Sequence, residues 1–510
     1  DNRVVARVRS GAYPRRRPWG MLIMTLSENS ELLPDRPAGP AANGRRTKII
    51  ATLGPATDSP EMIRQLILAG LNVARINMSH ATPEQARLAV RHIREASDAL
   101  QKRVGILMDL QGPAIRTGEL PTSLNLKPGE RIALTVRGEK SEEQRSVDVN
   151  YDQLVEDIKV GDTVVVDNGM IQLKVLEKRR NQLTCEVLTE GVLGSRRHIN
   201  LPGVRVNLPA LTDKDIKDVE LGIELGVDFI AMSFCREAAD VVKLKAILDY
   251  RKAPQRVIAK LEDQEGIRNV HAIIEAADGI MVARGDLGME CPLEELPIIQ
   301  RRVVKNCLIR GKPVIVATHM LESMIENPSP TRAEITDVSN AVYEQADAIM
   351  LSGETSVGRY PVKCIEIMDR IARRVERSGG ANYADLAKMD SLGAKMVKSA
   401  YVMSKEVSAE ALIVFTRRGS MARNAAWLRP LHSPIYAFTD NPALLNQLTL
   451  FWGITPFLLE FGRNPESNFE RAVQILKDRG LVHAGHNVVA VTEVDVGGKL
   501  IDTILMETVE

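Results

Sequence analysis

The chain has 510 residues, 44% hydrophobic and 26% charged, enough apolar matter for two to four packed domains. A formal net charge of +1 argues against nucleic acid or an anionic membrane as the main partner, and no apolar run approaches the roughly 18 residues of a membrane span. The cysteines at 185, 235, 291, 307 and 364 show no C-x-x-C spacing, which fits reduced thiols in a cytoplasmic protein and not a disulfide frame or a zinc site.

Residues 1–46 read as a disordered tail. Arginines at 3, 7, 9 and 15–17 meet almost no acid, and Pro34, Pro37, Gly39, Pro40 and Gly44 follow. Such a start is compatible with an organelle transit peptide. Serines are few and no amphipathic period is visible, so an upstream extension ahead of Met24 is the preferred reading. From Thr47 onward, apolar strands alternate with helical patterns, which predicts a parallel sheet. The candidate strands are 48–53, 73–76, 104–108, 229–232, 257–261, 280–282, 314–317 and 348–351. Ser59-Pro60-Glu61 puts a cap residue before a first-turn proline and Gly70 closes that helix. Thr82-Pro83-Glu84-Gln85 repeats the device with a capping box.

Eight such units predict a (β/α)8 TIM barrel over residues 47–116 and 207–378. The interval between the third and fourth strands is far too long for a loop. It holds strand patterns at 131–136, 163–166, 171–176 and 183–188, with turn signals at Lys127-Pro128-Gly129 and Asp167-Asn168-Gly169. We read 117–206 as an inserted β domain, a small β-barrel, on the face where barrel active sites lie and therefore suited to act as a lid. Residues 379–510 form a C-terminal α/β domain with strands at 412–415, 435–438 and 488–491.

The carboxyl ends of barrel strands carry the chemistry of this fold, and here nearly every one offers a reactive side chain. In order they give Thr52; Arg75, Asn77, Ser79 and His80; Asp109, then Arg116; Ser233; Lys260 and Glu262; Asp286; Thr318 and His319; and Ser352 and Glu354. The carboxylates of Glu262 and Asp286 can hold one Mg²⁺ with positions left for water and substrate oxygens, and Lys260 can neutralise a phosphate or an enolate. Each residue alone has a plainer reading: Arg75 as a salt-bridged rim arginine, Asn77 and Ser79 as helix caps, Lys260 and Glu262 as a mutual pair, Ser352 to Thr355 as a strand-to-helix cap. All the strand ends together are improbable in a purely structural barrel.

The stretches KIIATLGPAT, VARINMSH, DLQGPAIRTG, INLPGVRVNLPALTDKD, IAKLEDQEGI, GIMVARGDLGME, VATHMLESM, PTRAEITDVSNAV and DAIMLSGETSVGRYP closely resemble the pyruvate kinase family, in order over roughly residues 47–370. The resemblance implies phosphoryl transfer from phosphoenolpyruvate to ADP, giving pyruvate and ATP, in a cytoplasmic homotetramer. By resemblance, Glu262 and Asp286 bind Mg²⁺ or Mn²⁺, and Arg75 and Lys260 neutralise the transferring group. The backbone around Ala283, Arg284, Gly285 and Asp286, with the Thr318 hydroxyl, takes the substrate carboxylate. Enolate protonation runs through a water near Thr318, Ser352 and Glu354. ADP lies near Thr52, Pro55, Arg116 and Arg197, and K⁺ is held by Asn77, Ser79, Asp109 and the Leu110 carbonyl.

Three departures stand out. Potassium-dependent members typically carry Thr, Lys and Glu at the positions of Leu110, Gln111 and Ala114, and potassium-free members Leu, Gln and Lys; this chain matches the second group twice and Ala114 neither. His319 replaces a usual glutamine, and we read it as packing in preference to a titrating group. Thr416, Arg417, Arg418, Gly419 and Ser420 stand where the family often has a phosphate loop for a sugar-phosphate or nucleotide effector. Met421 replaces the hydroxyl there, no glycine-rich effector segment is recognisable in 494–502, and a solvated turn explains the stretch equally well. Two other functions compete: another barrel enzyme handling phosphoenolpyruvate or pyruvate, which needs no nucleotide site, and a non-catalytic paralogue, which has no need of Arg75, Lys260 and Asp286.

Overall fold

The computed structural model describes residues 44–136, 145–167, 169–462, 464–496 and 499–510. Most of the predicted tail, Asn168 of the predicted turn, and Gly497 and Gly498 of the segment compared with the effector loop lie outside the described residues. Arg45 and Arg46, placed in the tail by sequence, belong with the barrel. Arg45 Nε donates to Asp369 at 2.9 Å and the Arg46 N–H to Glu376 Oε2 at 2.9 Å.

Eight parallel strands close into a barrel: Lys48–Thr52, Val73–Asn77, Gly105–Asp109, Phe229–Met232, Arg256–Leu261, Gly279–Ala283, Val314–Ala317 and Ala348–Leu351. The last pairs with the first in register, Lys48 against Ala348. Strands covered on both faces read as continuous apolar runs, and every residue of the first, third, fourth, sixth, seventh and eighth is buried. The interior is filled by Ile50, Val73, Leu107, Ile258, Met281 and Ile315 among others, with Leu450 of the C-terminal domain joining them. Helix entries follow the sequence signals. Ser59 Oγ caps the Met62 N–H, and Thr82 with Gln85 forms a full capping box.

The inserted segment forms a six-stranded sheet in the order 199–200, 163–166, 171–179, 182–187, 131–136 and 146–149, beside a ribbon of 191–193 with 124–126. The chain entering from the barrel joins the two sheet edges: Thr117 bridges Val149 on one side and Arg116 bridges His198 on the other. The short strands 124–126, 146–149, 191–193 and 199–200 escape the sequence reading because two to four residues are too few to establish a period, even where Ser146–Val149 alternates. The C-terminal domain is a five-stranded sheet in the order 454–458, 435–439, 411–415, 487–496 and 499–508, the last antiparallel.

Candidate active site

Strand alternation puts the reactive residues on one axis. Val73, Leu107 and Ile258 face the barrel interior, whereas Ala74, Ile76, Ile106, Met108, Val257 and Ala259 face the helices. With a two-residue period, Arg75, Asp109 and Lys260 continue the inward rows at the carboxyl ends.

There they meet. Arg75 Nε lies 2.7 Å from Asp109 Oδ2, and Arg75 Nη1 donates to Thr52 Oγ1 at 2.9 Å. Lys260 Nζ lies 3.0 Å from Asp109 Oδ1 and 2.8 Å from Glu262 Oε1, and donates to Ser233 Oγ at 2.7 Å. Burial works to raise Asp109, but Lys260 and Arg75 outweigh it and hold the carboxyl below its ordinary range. Burial works to lower Lys260, but Asp109 and Glu262 outweigh it and keep the ammonium charged well above its ordinary range. The sequence alternative of a Lys260–Glu262 pair is therefore present, as one part of a larger network.

Glu262 and Asp286 both sit above the usual carboxylate range. For Glu262 burial is the first cause, Lys260 opposes, and the charge of Asp286 adds to the rise. For Asp286 burial again leads, with Lys260 opposing and Asp109 adding. Two carboxylates that resist ionisation in this way suit a divalent cation, whose charge removes the penalty. Among the described residues no group of three metal-ligating side chains occurs, so this pair leaves most coordination positions to oxygens that are not its own.

The seventh and eighth strand ends form a second cluster. Thr318 Oγ1 accepts from the Gly285 N–H at 2.6 Å and donates to the Ala317 carbonyl at 2.6 Å, on a backbone of φ +68°. The Arg284 side chain turns away from the cavity to Asp337 Oδ1, at 2.6 Å, and to the Thr318 carbonyl, at 2.6 Å. Glu354 is buried, with Oε1 accepting from the Leu321 N–H at 3.0 Å and Oε2 from the Ser352 N–H at 2.7 Å. Ser352 Oγ is buried without a hydrogen-bond partner.

Between the barrel mouth and the inserted domain lies a cavity of about 380 Å³, and Arg75, Asn77, Ser79, Lys260, Glu262 and Asp286 line its barrel side. Arg116 and Arg197 line the other side, Arg197 held 3.3 Å from Asp167 Oδ1. Asp109 lies fully buried beneath. Thr52 is buried behind Arg75, and Pro55 is exposed in the following turn. Leu110 offers its carbonyl, which accepts from Ser233 Oγ at 2.8 Å, and Asn77 Oδ1 accepts from the Ser79 N–H at 3.1 Å. Packing is not the state of His319: its side chain is 53% exposed and lies 3.7 Å from Glu322. Because residue 319 also has positive φ, the turn that exposes Thr318 to Gly285 carries the next side chain outward.

His198 lines the cavity, and sequence reasoning missed it. Burial first, then Arg116, lowers it to about 4 against the pull of Glu262, so it is neutral, with its ring 5.8 Å from Phe234. Phe234 in turn gives its N–H to Glu262 Oε2 at 2.6 Å. A lone histidine before a two-residue strand carries no sequence signal.

Known proteins fit this arrangement. Residues 44–365 match the family profile "Pyruvate kinase, barrel domain" and residues 394–505 the profile "Pyruvate kinase, alpha/beta domain". The chain is 41% identical to pyruvate kinase isozyme G, chloroplastic, of Nicotiana tabacum, over 88% of its own length and 80% of that protein's. It is 40% identical to plastidial pyruvate kinase 3, chloroplastic, of Arabidopsis thaliana, over 91% and 82%. It is also 40% identical to the pyruvate kinase of Bacillus licheniformis, over 87% and 77%. With a cation-lined barrel mouth beneath an inserted β domain, and two profiles spanning most of its length, the chain belongs to the pyruvate kinase family.

Proposed function

We propose that the chain transfers the phosphoryl group of phosphoenolpyruvate to ADP in the cavity above Lys260, giving pyruvate and ATP. The observation that carries this reading is the Lys260 ammonium, fixed between Asp109, Glu262 and Ser233 with Arg75 on the same carboxylate. Phosphoryl transfer needs positioning and charge neutralisation more than covalent catalysis, and two cations held rigidly on one buried anion supply both. Lys260 then neutralises the enolate left when the phosphoryl group departs.

Glu262 and Asp286 are the residues that hold Mg²⁺ or Mn²⁺, which when bound supplies Lewis-acid neutralisation of substrate oxygens. The Gly285 N–H and Thr318 hydroxyl, bonded to each other in the structure, open to take the substrate carboxylate. A water held near the Thr318 and Ser352 hydroxyls supplies the proton to the enolate carbon, while Glu354 fixes the two loops by binding the Leu321 and Ser352 N–H groups. Arg116 and Arg197 face the ADP phosphates. Thr52 acts through Arg75, whose guanidinium it orients. The loop 416–420 is the candidate effector site; there Arg417 lies 3.4 Å from Asp440 and the Gly419 N–H is taken by Thr416 Oγ1 at 3.0 Å.

A cytoplasmic homotetramer is the assembly we propose. Leu392 at 79% and Val402 at 50% exposure on one helix, with the open edge of strand 499–508, leave apolar surface for a second copy. The five free cysteines suit a reducing compartment. Light scattering reads the assembly and cell fractionation the compartment. For the reaction itself, pyruvate release from phosphoenolpyruvate and ADP, followed with and without Mg²⁺, is the test, and absence of pyruvate with both substrates and Mg²⁺ present overturns the reading.

A further inference from the structure

The strand Arg256–Leu261 puts a cation at each mouth of the barrel. Its inward row runs Arg256, Ile258, Lys260, so Lys260 serves the reaction cavity and Arg256 the base. At the base Arg256 lines a cleft with Lys312, just ahead of the strand Val314–Ala317, and with Arg418 and Arg423 of the C-terminal domain. Asp278 is the one carboxylate of that lining, and it is already engaged. Lys245 Nζ stands 3.0 Å from it and the Val257 N–H donates to it at 2.9 Å, with Arg256 Nη1 farther off at 3.8 Å.

Among the described residues the side chains of Arg418 and Arg423 make no hydrogen bond or ion pair, and burial with the neighbouring charge of Arg256 lowers Arg423 against the pull of Asp278. Lys312 gives its protons to the carbonyls of Glu275 and Ala277, at 3.1 and 2.5 Å, and has no carboxylate of its own. Burial lowers its ammonium, Asp278 opposes, and Lys245 and Arg423 deepen the lowering. Phe229, Ile258, Pro313 and Leu450 form the wall behind these charges. Like charges gathered around one cleft repel, and the space among them, about 40 Å³, holds a few waters or one tetrahedral oxyanion.

We propose that this cleft, between the barrel base and the C-terminal domain, binds a phosphoryl group, as free phosphate or the phosphate of a small monoester, through Arg256, Lys312, Arg418 and Arg423. A dianion supplies the missing charge, and guanidinium forks match its oxygens. The cleft takes Arg418 and Gly419 from the candidate effector loop but not Arg417, which lies over the ring of Phe461 at 5.2 Å; its other cations, Arg256, Lys312 and Arg423, lie outside that loop. It lies at the other end of the barrel from Lys260 and its existence does not depend on the chemistry there.

Calorimetric titration of the full chain with orthophosphate, in the presence and absence of phosphoenolpyruvate and Mg²⁺ but without ADP, tests it. The expected result is a binding event that phosphoenolpyruvate leaves in place and that Arg423→Gln weakens at least tenfold. Arg471→Gln, which removes a charge from the same domain outside the cleft, leaves it intact. Glycerol phosphate binding more tightly than orthophosphate at this site identifies an ester ligand, and equal or weaker binding identifies the free oxyanion. Phosphate binding that phosphoenolpyruvate abolishes completely, or that is equal in the wild type and Arg423→Gln, overturns the proposal.

Discussion

Asp109 Oδ1 lies 3.0 Å from Lys260 Nζ while its other oxygen holds Arg75 at 2.7 Å, so one buried carboxylate fixes both cations of the reaction cavity. The network is closed: the anion stays ionised because of the two cations, and the lysine stays charged because of Asp109 and Glu262. Removing any member leaves a buried charge without its partner, which is the costly direction of such a change.

Lys260→Met removes the cation that, under the proposed function, faces the phosphoryl group and the enolate. The expected loss in kcat is roughly 10³-fold or more, several kcal/mol of transition-state stabilisation. Because the folded-state pKa of Lys260 is raised, its contribution to stability is complete below the ordinary lysine pKa and is lost only as pH rises past that value. The wild type therefore shows no loss of stability from this group between pH 6 and pH 9, about the span in which lysine stays charged. A coupled pyruvate assay checks the rate, and near-wild-type turnover in the variant places the site elsewhere.

A second prediction concerns the contact between the inserted domain and the barrel. Asn200 Nδ2 donates to Glu290 Oε1 at 3.1 Å, and both residues are buried. Burial raises Glu290 from 4.5 to about 7, with Asp263 and Asp286 adding and Asn200 opposing. A carboxyl raised in the fold stabilises it fully below its unfolded pKa and loses that contribution as pH climbs through the folded value. The window is thus pH 4.5 to about 7, and the loss is at most about 3 kcal/mol. Hydrogen exchange at residues 199–201, corrected for intrinsic rates, should speed up across that window in the wild type and stay level in Glu290→Gln. A level wild-type profile counts against it.

The inserted domain is expected to close over the cavity as a lid. Its exit segment is held by Arg236, which donates to the carbonyls of Val206 and Leu208 at 2.7 and 2.5 Å, and by the Asn207 N–H donating to Tyr151 Oη at 2.8 Å. Between these holds and the entry at Arg116, the domain carries Arg197 on the half-exposed rim. Phosphoenolpyruvate, ADP and Mg²⁺ together should protect the amides of Arg196 and Arg197 from exchange. Unchanged exchange there speaks against closure.

The barrel and its reactive rim were legible because both depend on local pattern. Period-two alternation sends Arg75, Asp109 and Lys260 inward, and the caps at Ser59 and Thr82 mark the helices between. Partner choice was less legible. Nothing local says that Arg284 turns outward to Asp337, that Glu354 spends both oxygens on backbone N–H groups, or that His198 reaches the cavity wall. Asp337 stands 53 positions from Arg284 and Leu321 stands 33 from Glu354, and the cluster also depends on a positive-φ turn at Thr318 and His319 that no glycine announces. The cationic cleft at the barrel base was invisible for the same reason, since Arg256, Lys312 and Arg423 meet only in the fold.

Potassium dependence is expected to be weak. In the sequence Leu110 and Gln111 side with the potassium-free pattern and Ala114 opposes, because it supplies no lysine beside the phosphoryl group. The structure adds a physical reason on the first side. Both oxygens of Asp109 already face cations, Lys260 at 3.0 Å and Arg75 at 2.7 Å, so its charge needs no further counter-ion. The Leu110 carbonyl is taken by Ser233 Oγ and Asn77 Oδ1 by the Ser79 N–H, so a cation entering this group displaces protein hydrogen bonds worth about 1 kcal/mol each. Arg116, two residues beyond Ala114, brings a positive charge to the same cavity wall and compensates in part for the missing lysine. Activity in tetramethylammonium buffer with saturating Mg²⁺, titrated with KCl, reads the balance. The expected rise is less than tenfold, equivalent to about 1.4 kcal/mol; a larger one means that the charge absent at Ala114 outweighs the pairing of Asp109.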